Sequence, residues 1–131
     1  MSVLVAVRRL VFVDRLTQTP DTLETNSVAL GDSVRTFAIT MRWLPRAETW
    51  YLNLRTTSGV TIVSGAWVRD RTDCLLGVST PGRPAGAIMS FDPKGRGDPT
   101  RTSYAEDGVG LFFVPGGLDP HDYSLYTTLV V

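Results

Sequence analysis

Four large apolar residues at every second position, Phe37, Ile39, Met41 and Trp43, constrain this chain more than any other feature. The residues between them, Ala38, Thr40 and Arg42, are small or polar, so residues 36–43 have one apolar and one wettable face only as a β-strand. A helix would scatter the same four side chains around its circumference. Eight such residues span about 26 Å, an ordinary strand for a small sheet.

The neighbouring segments extend this strand into a meander. Leu23 to Leu30 precedes it and ends at Gly31-Asp32, a dipeptide suited to a short hairpin turn. Leu44-Pro45-Arg46-Ala47 supplies a slightly longer turn on the other side, where Pro45 cannot donate to a ladder. Thr49 to Arg55 alternates again, with Trp50, Leu52 and Leu54 on one face. Ser58-Gly59 then turns the chain into Val60 to Val63 and on to Trp67. The pattern predicts four consecutive antiparallel strands between residues 23 and 68, with Phe37, Ile39, Met41, Trp43, Trp50, Leu52 and Leu54 sharing one buried face.

The flanks are less regular. Val3, Val5, Val7, Val11 and Val13 suggest an N-terminal strand interrupted or bulged at Arg8-Arg9, with a helix as the alternative because Gly and Pro are absent there. Ala87 to Phe91, Gly110 to Val114 and Leu125 to Val131 read as three further strands, and residues 93–108 as a long polar loop. The expected architecture is an all-β single domain, residues 1–131. It is an antiparallel meander (23–68) closing into a small barrel or sandwich, with an N-terminal extension (1–15) and late strands and a long loop (69–131). At 131 residues the chain is long enough to bury a core without staples.

Charge narrows the functional classes. Thirteen basic and thirteen acidic residues cancel, so the cationic excess that general nucleic-acid or membrane-surface binding requires is missing. The apolar runs around Arg8-Arg9 are too short for a signal peptide or a membrane span. The expected setting is therefore soluble, with no membrane partner and no direct nucleic-acid binding.

Catalytic residue types are scarce. The lone histidine, His121, lies in Leu118-Asp119-Pro120-His121-Asp122 and reads as a solvated loop residue rather than a general base. Cys74, followed by Leu75-Leu76, reads as a small core residue rather than a nucleophile. One Cys and one His cannot close a zinc site. Asp92, Asp98, Asp107, Asp119 and Asp122 lack the spacing of a calcium loop and read as turn residues. No catalytic, cofactor-binding or metal-binding residue is expected, and no cofactor. Arg96-Gly97-Asp98 spells an adhesion-type tripeptide, but Gly97-Asp98-Pro99 is also an ordinary turn. Twelve of the thirteen basic residues are arginine, which suits flat bidentate interfaces and also reflects GC-rich coding.

The block from Leu30 to Gly65 resembles the phage baseplate plug proteins, small tail components of contractile-tailed phages of the cyanophage type. The resemblance is carried by Leu30-Gly31-Asp32, the alternating strand ending in Trp43, Trp50-Tyr51-Leu52-Asn53-Leu54, Ser58-Gly59 and Val63-Ser64-Gly65. Thr17-Gln18-Thr19-Pro20 fits the family's opening loosely, and Ala87-Ile88-Met89-Ser90 and Leu111-Phe112-Phe113-Val114-Pro115 fit its later strands, so residues 16 to 115 are covered. The N-terminal extension and a strand after Gly117 lie outside the pattern.

That resemblance implies a non-enzymatic virion protein of the tail baseplate, assembled in the host cytoplasm, which plugs or connects the central hub and the tail tube end. Its partners would be other baseplate and tail proteins (hub, tail tube or tube-initiator), with homo-oligomers in the assembly. The alternative is a carbohydrate- or receptor-binding β-sandwich using Trp43, Trp50, Trp67 and the Arg96-Gly97-Asp98 loop. On the assembly reading, residues 2–13 and 125–131 are expected to pair with neighbouring subunits by strand addition. The Pro93 to Asp107 loop is expected to be mobile and to present Arg96 and Arg101 to an acidic partner.

Overall fold

The alternation at residues 36–43 is a strand whose inward side chains are completely buried. In the computed structural model, which describes residues 7–12, 21–25, 27–30, 35–106 and 108–127, the strands in chain order are β1 (Arg8–Leu10), β2 (Thr22–Glu24), β3 (Val28–Ala29), β4 (Thr36–Leu44), β5 (Thr49–Thr56), β6 (Thr61–Val68), β7 (Gly86–Phe91) and β8 (Gly110–Pro115). Two single helical turns, α1 (Ser103–Glu106) and α2 (Ser124–Thr127), complete the elements. The fold is all-β with antiparallel sheets, as the patterning predicts.

β4 and β5 pair from Phe37↔Thr56 to Trp43↔Trp50. Phe37, Ile39, Met41, Trp50, Leu52 and Leu54 are fully buried, and Trp43 packs against them half-buried. The turn between the strands is closed by the Ala47 amide on the Leu44 carbonyl (3.2 Å) and by Glu48 in the left-handed region (φ 50°). At the next turn the Gly59 amide donates to Thr56 O (3.0 Å), and φ of 103° there suits glycine. β6 carries a bulge at Ser64-Gly65, where Asn53 Oδ1 accepts the Gly65 amide at 2.8 Å. The five-stranded sheet runs β2-β4-β5-β6, with β3 also paired to β4.

The second sheet has the order β1-β8-β7. Leu111-Phe112-Phe113-Val114 is continuously apolar because both faces of this sheet are covered. Leu111 and Phe113, with Leu10 and Ile88, enter a core shared with the five-stranded sheet. Phe112 and Val114, with Val7, Ala87, Met89 and Phe91, face the other way and are capped by Tyr126, Tyr123 and Leu118. Gly86 permits the tight start of β7, since a Cβ there would lie 2.3 Å from Val114 O and φ is 145°. Between the sheets, the Arg83 guanidinium donates to the carbonyls of Leu75, Val78 and Gly86, each at 2.8 Å, and fixes the connection. No closed barrel forms among the described residues.

Four expectations are corrected. Arg8-Arg9 does not interrupt the N-terminal strand; both lie within β1, paired to Phe113 and Phe112 of β8. This segment stitches the sheets together, because Phe12 bridges Thr25 and Arg8 Nη1 donates to Ala29 O at 2.9 Å. β1 pairs with β8 on one side and is the edge strand of its sheet, and Val7 and Leu10 are core residues; Val3, Val5 and Val13 lie outside the described residues. Leu23 to Leu30 is split into β2 and β3 beyond Thr25, whose amide and hydroxyl both engage the Ile39 backbone (2.9 and 3.1 Å).

The C-terminal segment does not begin as a strand. Asp122 Oδ1 accepts the Ser124 hydroxyl at 2.6 Å, the Tyr126 amide donates to Tyr123 O at 3.1 Å, and the resulting turn α2 drops Tyr126 onto Phe91. Residues 128–131 lie outside the description, as do Gly31-Asp32 and Thr17-Gln18-Thr19-Pro20. Finally, the segment after Pro93 is packed against the domain. It contains α1, its Pro99 and Ser103 are buried, and Thr100 O accepts the Trp50 indole N–H at 2.8 Å.

Candidate functional site

Each residue with catalytic or ligating potential sits in a turn or in packing. The His121 amide donates to Asp119 Oδ1 at 2.9 Å, and its Nδ1 is 3.8 Å from the same oxygen, with both side chains more than half exposed. Cys74 is buried, and burial, reinforced by the Asp73 charge, pushes its thiol up to about 12, which suppresses the nucleophilic thiolate. Asp119 and Asp122 cap the turns at residues 121 and 124. Asp107 lies outside the described residues, among which no three His, Cys, Asp or Glu side chains gather to hold a metal. No described helix is long and apolar enough to cross a membrane.

The adhesion-type tripeptide is occupied within the chain. Asp92 is buried and receives Arg96 on both oxygens, from Nε at 2.8 Å and Nη2 at 3.1 Å, together with the Lys94 and Arg96 amides. The Arg96 hydrogen bond holds the Asp92 carboxyl down to about 2, against the opposing push of burial. Asp98 Oδ1 accepts the Asp70 amide at 2.9 Å, and its other oxygen lies 3.9 Å from Arg69. Arg101 is ion-paired with Asp21 across 80 residues of sequence. Arg96 and Arg101 therefore brace the loop within the chain while their side chains remain exposed.

The three tryptophans divide between core and surface. Trp50 is fully buried, with edge contacts to Trp43 (centroids 5.6 Å apart) and Tyr104 (5.8 Å). Trp67 is 51% exposed and stacks on Tyr51 at 5.9 Å and 15°. The β4–β5–β6 register places Arg42, Tyr51 and Trp67 directly opposite one another in one row on the outer face of the five-stranded sheet. The Arg69 guanidinium covers the Trp67 ring at 4.9 Å. Arg55 lies farther along the same face of β5, beyond Asn53.

Trp67 was legible as a surface candidate from sequence, whereas Arg42, Tyr51 and Arg69 were not singled out. Their signal is the polar half of the same alternation that marks the core. The row is a small platform of the three residue types that most often dominate protein interfaces. At one end of the β4–β5 hairpin, a groove of about 390 Å³ opens between Trp43, Glu48 and Arg101.

A family model described as cyanophage baseplate Pam3 plug gp18 matches residues 15–116. The match spans β2 to β8 and leaves out β1 and α2. No curated protein matches the chain.

Proposed function

Since the chain belongs to the cyanophage baseplate Pam3 plug gp18 family, we propose that it is a structural, non-enzymatic component of a phage tail baseplate which plugs or connects the central hub and the tail tube end. The observation that carries this reading is the family match over residues 15–116, which includes nearly all of the sheet framework. Its partners on this reading are the hub, the tail tube or its initiator, and further copies of itself, joined during assembly in the host cytoplasm. Two antiparallel sheets sharing one core support a sandwich-like arrangement over a barrel.

The chemistry of the side chains is consistent with this role. A buried, protonated thiol and an exposed turn histidine are poorly placed for nucleophilic or general-base work, whereas two sheets cross-braced by β1 and Arg83 around one core suit a structural insert. The test is genetic. A nonsense mutation in this gene should yield particles with incomplete, non-infectious tails, restored by the chain supplied in trans. Infectious particles of normal tail structure without the chain would overturn the assignment.

A further inference from the structure

The outer face of the five-stranded sheet gathers arginines around Tyr51 and the exposed Trp67, a stacked pair of aromatic rings. Several arginines elsewhere are paired within the fold, Arg96 with Asp92, Arg101 with Asp21, and Arg71 against Asp70, while Arg9 and Arg46 are exposed singly on β1 and in the β4–β5 turn. Arg42 and Arg55, both exposed, have no hydrogen bond or ion pair among the described residues. They flank Tyr51 and Trp67, and Arg69, half-exposed and in a long 3.9 Å ion pair with Asp98, lays its guanidinium over the indole. Glu24, on β2, lies opposite Thr40 of β4, two positions from Arg42 and two strands away from Tyr51. The outer face across β4, β5 and β6 therefore gathers Arg42, Arg55 and the Asp98-paired Arg69 around an exposed tryptophan, on a chain with zero net charge.

We propose that this face docks an acidic segment of a partner protein, with Trp67 and Tyr51 as the apolar anchor and Arg42, Arg55 and Arg69 as carboxylate partners. An exposed tryptophan costs hydration free energy unless a partner covers it, and Trp, Tyr and Arg are the residue types enriched where binding energy concentrates. Arginine forks match carboxylates bidentately. The surface is a flat sheet with three cations rather than a cationic groove, so a polyanionic nucleic acid, which draws on many phosphate contacts, is the weaker match. The inference refines the baseplate reading by naming which face meets a neighbour and what chemistry that neighbour presents.

The test has one arm in solution and one in particles. In solution, poly-L-glutamate should bind the purified chain, perturb tryptophan fluorescence and weaken with added salt. Trp67→Ala should weaken binding about thirtyfold, as for a hot-spot truncation. Arg42→Glu/Arg55→Glu should weaken it about tenfold or more. Arg9→Glu/Arg46→Glu, equal in net charge but located on β1 and in the β4–β5 turn, should bind like wild type. Absence of binding, equal loss in the control variant, or preference for an oligothymidylate of matched charge overturns the proposal.

In purified particles, wild-type Trp67 should be shielded from hydroxyl radicals while Arg42→Glu/Arg55→Glu, folded by circular dichroism, is excluded. Normal incorporation of that variant also overturns it. Absence of the wild-type chain from tails would instead defeat the baseplate reading, leaving the solution arm to decide the docking chemistry.

Discussion

Replacing Trp50 tests the packing on which both sheets depend. Its side chain is fully buried between Trp43 and Tyr104, and its indole N–H donates to Thr100 O at 2.8 Å. A buried indole removes about 200 Å² from water, which at about 25 cal/mol per Å² gives roughly 5 kcal/mol as an upper figure. Large aromatic-to-alanine deletions in cores cost about 3–5 kcal/mol, and the stranded Thr100 carbonyl adds about 1 kcal/mol. Trp50→Ala should therefore lose about 4–6 kcal/mol, a large share of a stability of about 5–15 kcal/mol. With a urea dependence of about 1.5–2 kcal/mol per molar, the midpoint should fall by about 2–4 M. Trp50→Phe keeps most of the ring volume and loses the N–H, so it should cost about 1–2 kcal/mol. Far-UV circular dichroism is the proper readout, because tryptophan fluorescence changes with the substitution itself. If Trp50→Ala unfolds at the wild-type urea concentration, the β4–β5 register and the pinning of the Thr100 segment are wrong.

Three further outcomes follow from local geometry. Glu48 holds a left-handed conformation at φ 50° on an exposed turn, a strain of about 1 kcal/mol for a side chain with Cβ, so Glu48→Gly should raise the melting temperature by a few degrees; a fall would show that the carboxylate earns its place in the groove beside Trp43. Because the Asp92 carboxyl is held down to about 2 in the fold, below its ordinary 3.8, its contribution is complete above about pH 4 and is lost as pH falls through about 2. Thermal melts of Asp92→Asn should accordingly be less pH-dependent than wild type between pH 4 and 2, and parallel curves would refute the Arg96 clamp. The Cys74 thiol, pushed up to about 12, should resist a disulfide reagent at pH 8 in native buffer and react rapidly in urea; fast native labelling would contradict its burial.

How far the sequence revealed the molecule depends on whether each signal was local. Phe37, Ile39, Met41, Trp50, Leu52 and Leu54 were legible because one buried and one wet face impose period two, and adjacent hairpin strands inherit their register from short turns. The pairing of β1 with β8 was not legible, since strands a hundred residues apart leave no mark on each other's composition. Arg8 and Arg9 looked like a break because their charges interrupt an apolar run, yet both sit on exposed edge positions where charge is tolerated. Tyr123 and Tyr126, three apart behind an Asp-x-Ser cap, carried a readable helical-turn signal that the valine-rich tail obscured. The Asp92–Arg96 ion pair was not anticipated, because the two are brought together by a turn rather than a helix, where a four-residue spacing carries no signal. The docking face was hidden for a different reason: Arg42, Tyr51 and Trp67 come from three strands, and only their register shows them as one row.

The central claim is that this chain is a structural plug at the baseplate of a phage tail. A cryo-electron microscopy map of the intact tail tip, at a resolution that resolves strands, tests it most directly. The account predicts density for the two antiparallel sheets at the junction of hub and tail tube end, with the Trp67 face against a neighbouring protein. A map of the complete baseplate in which no density fits this fold, in particles that lack the chain by mass spectrometry, would contradict it.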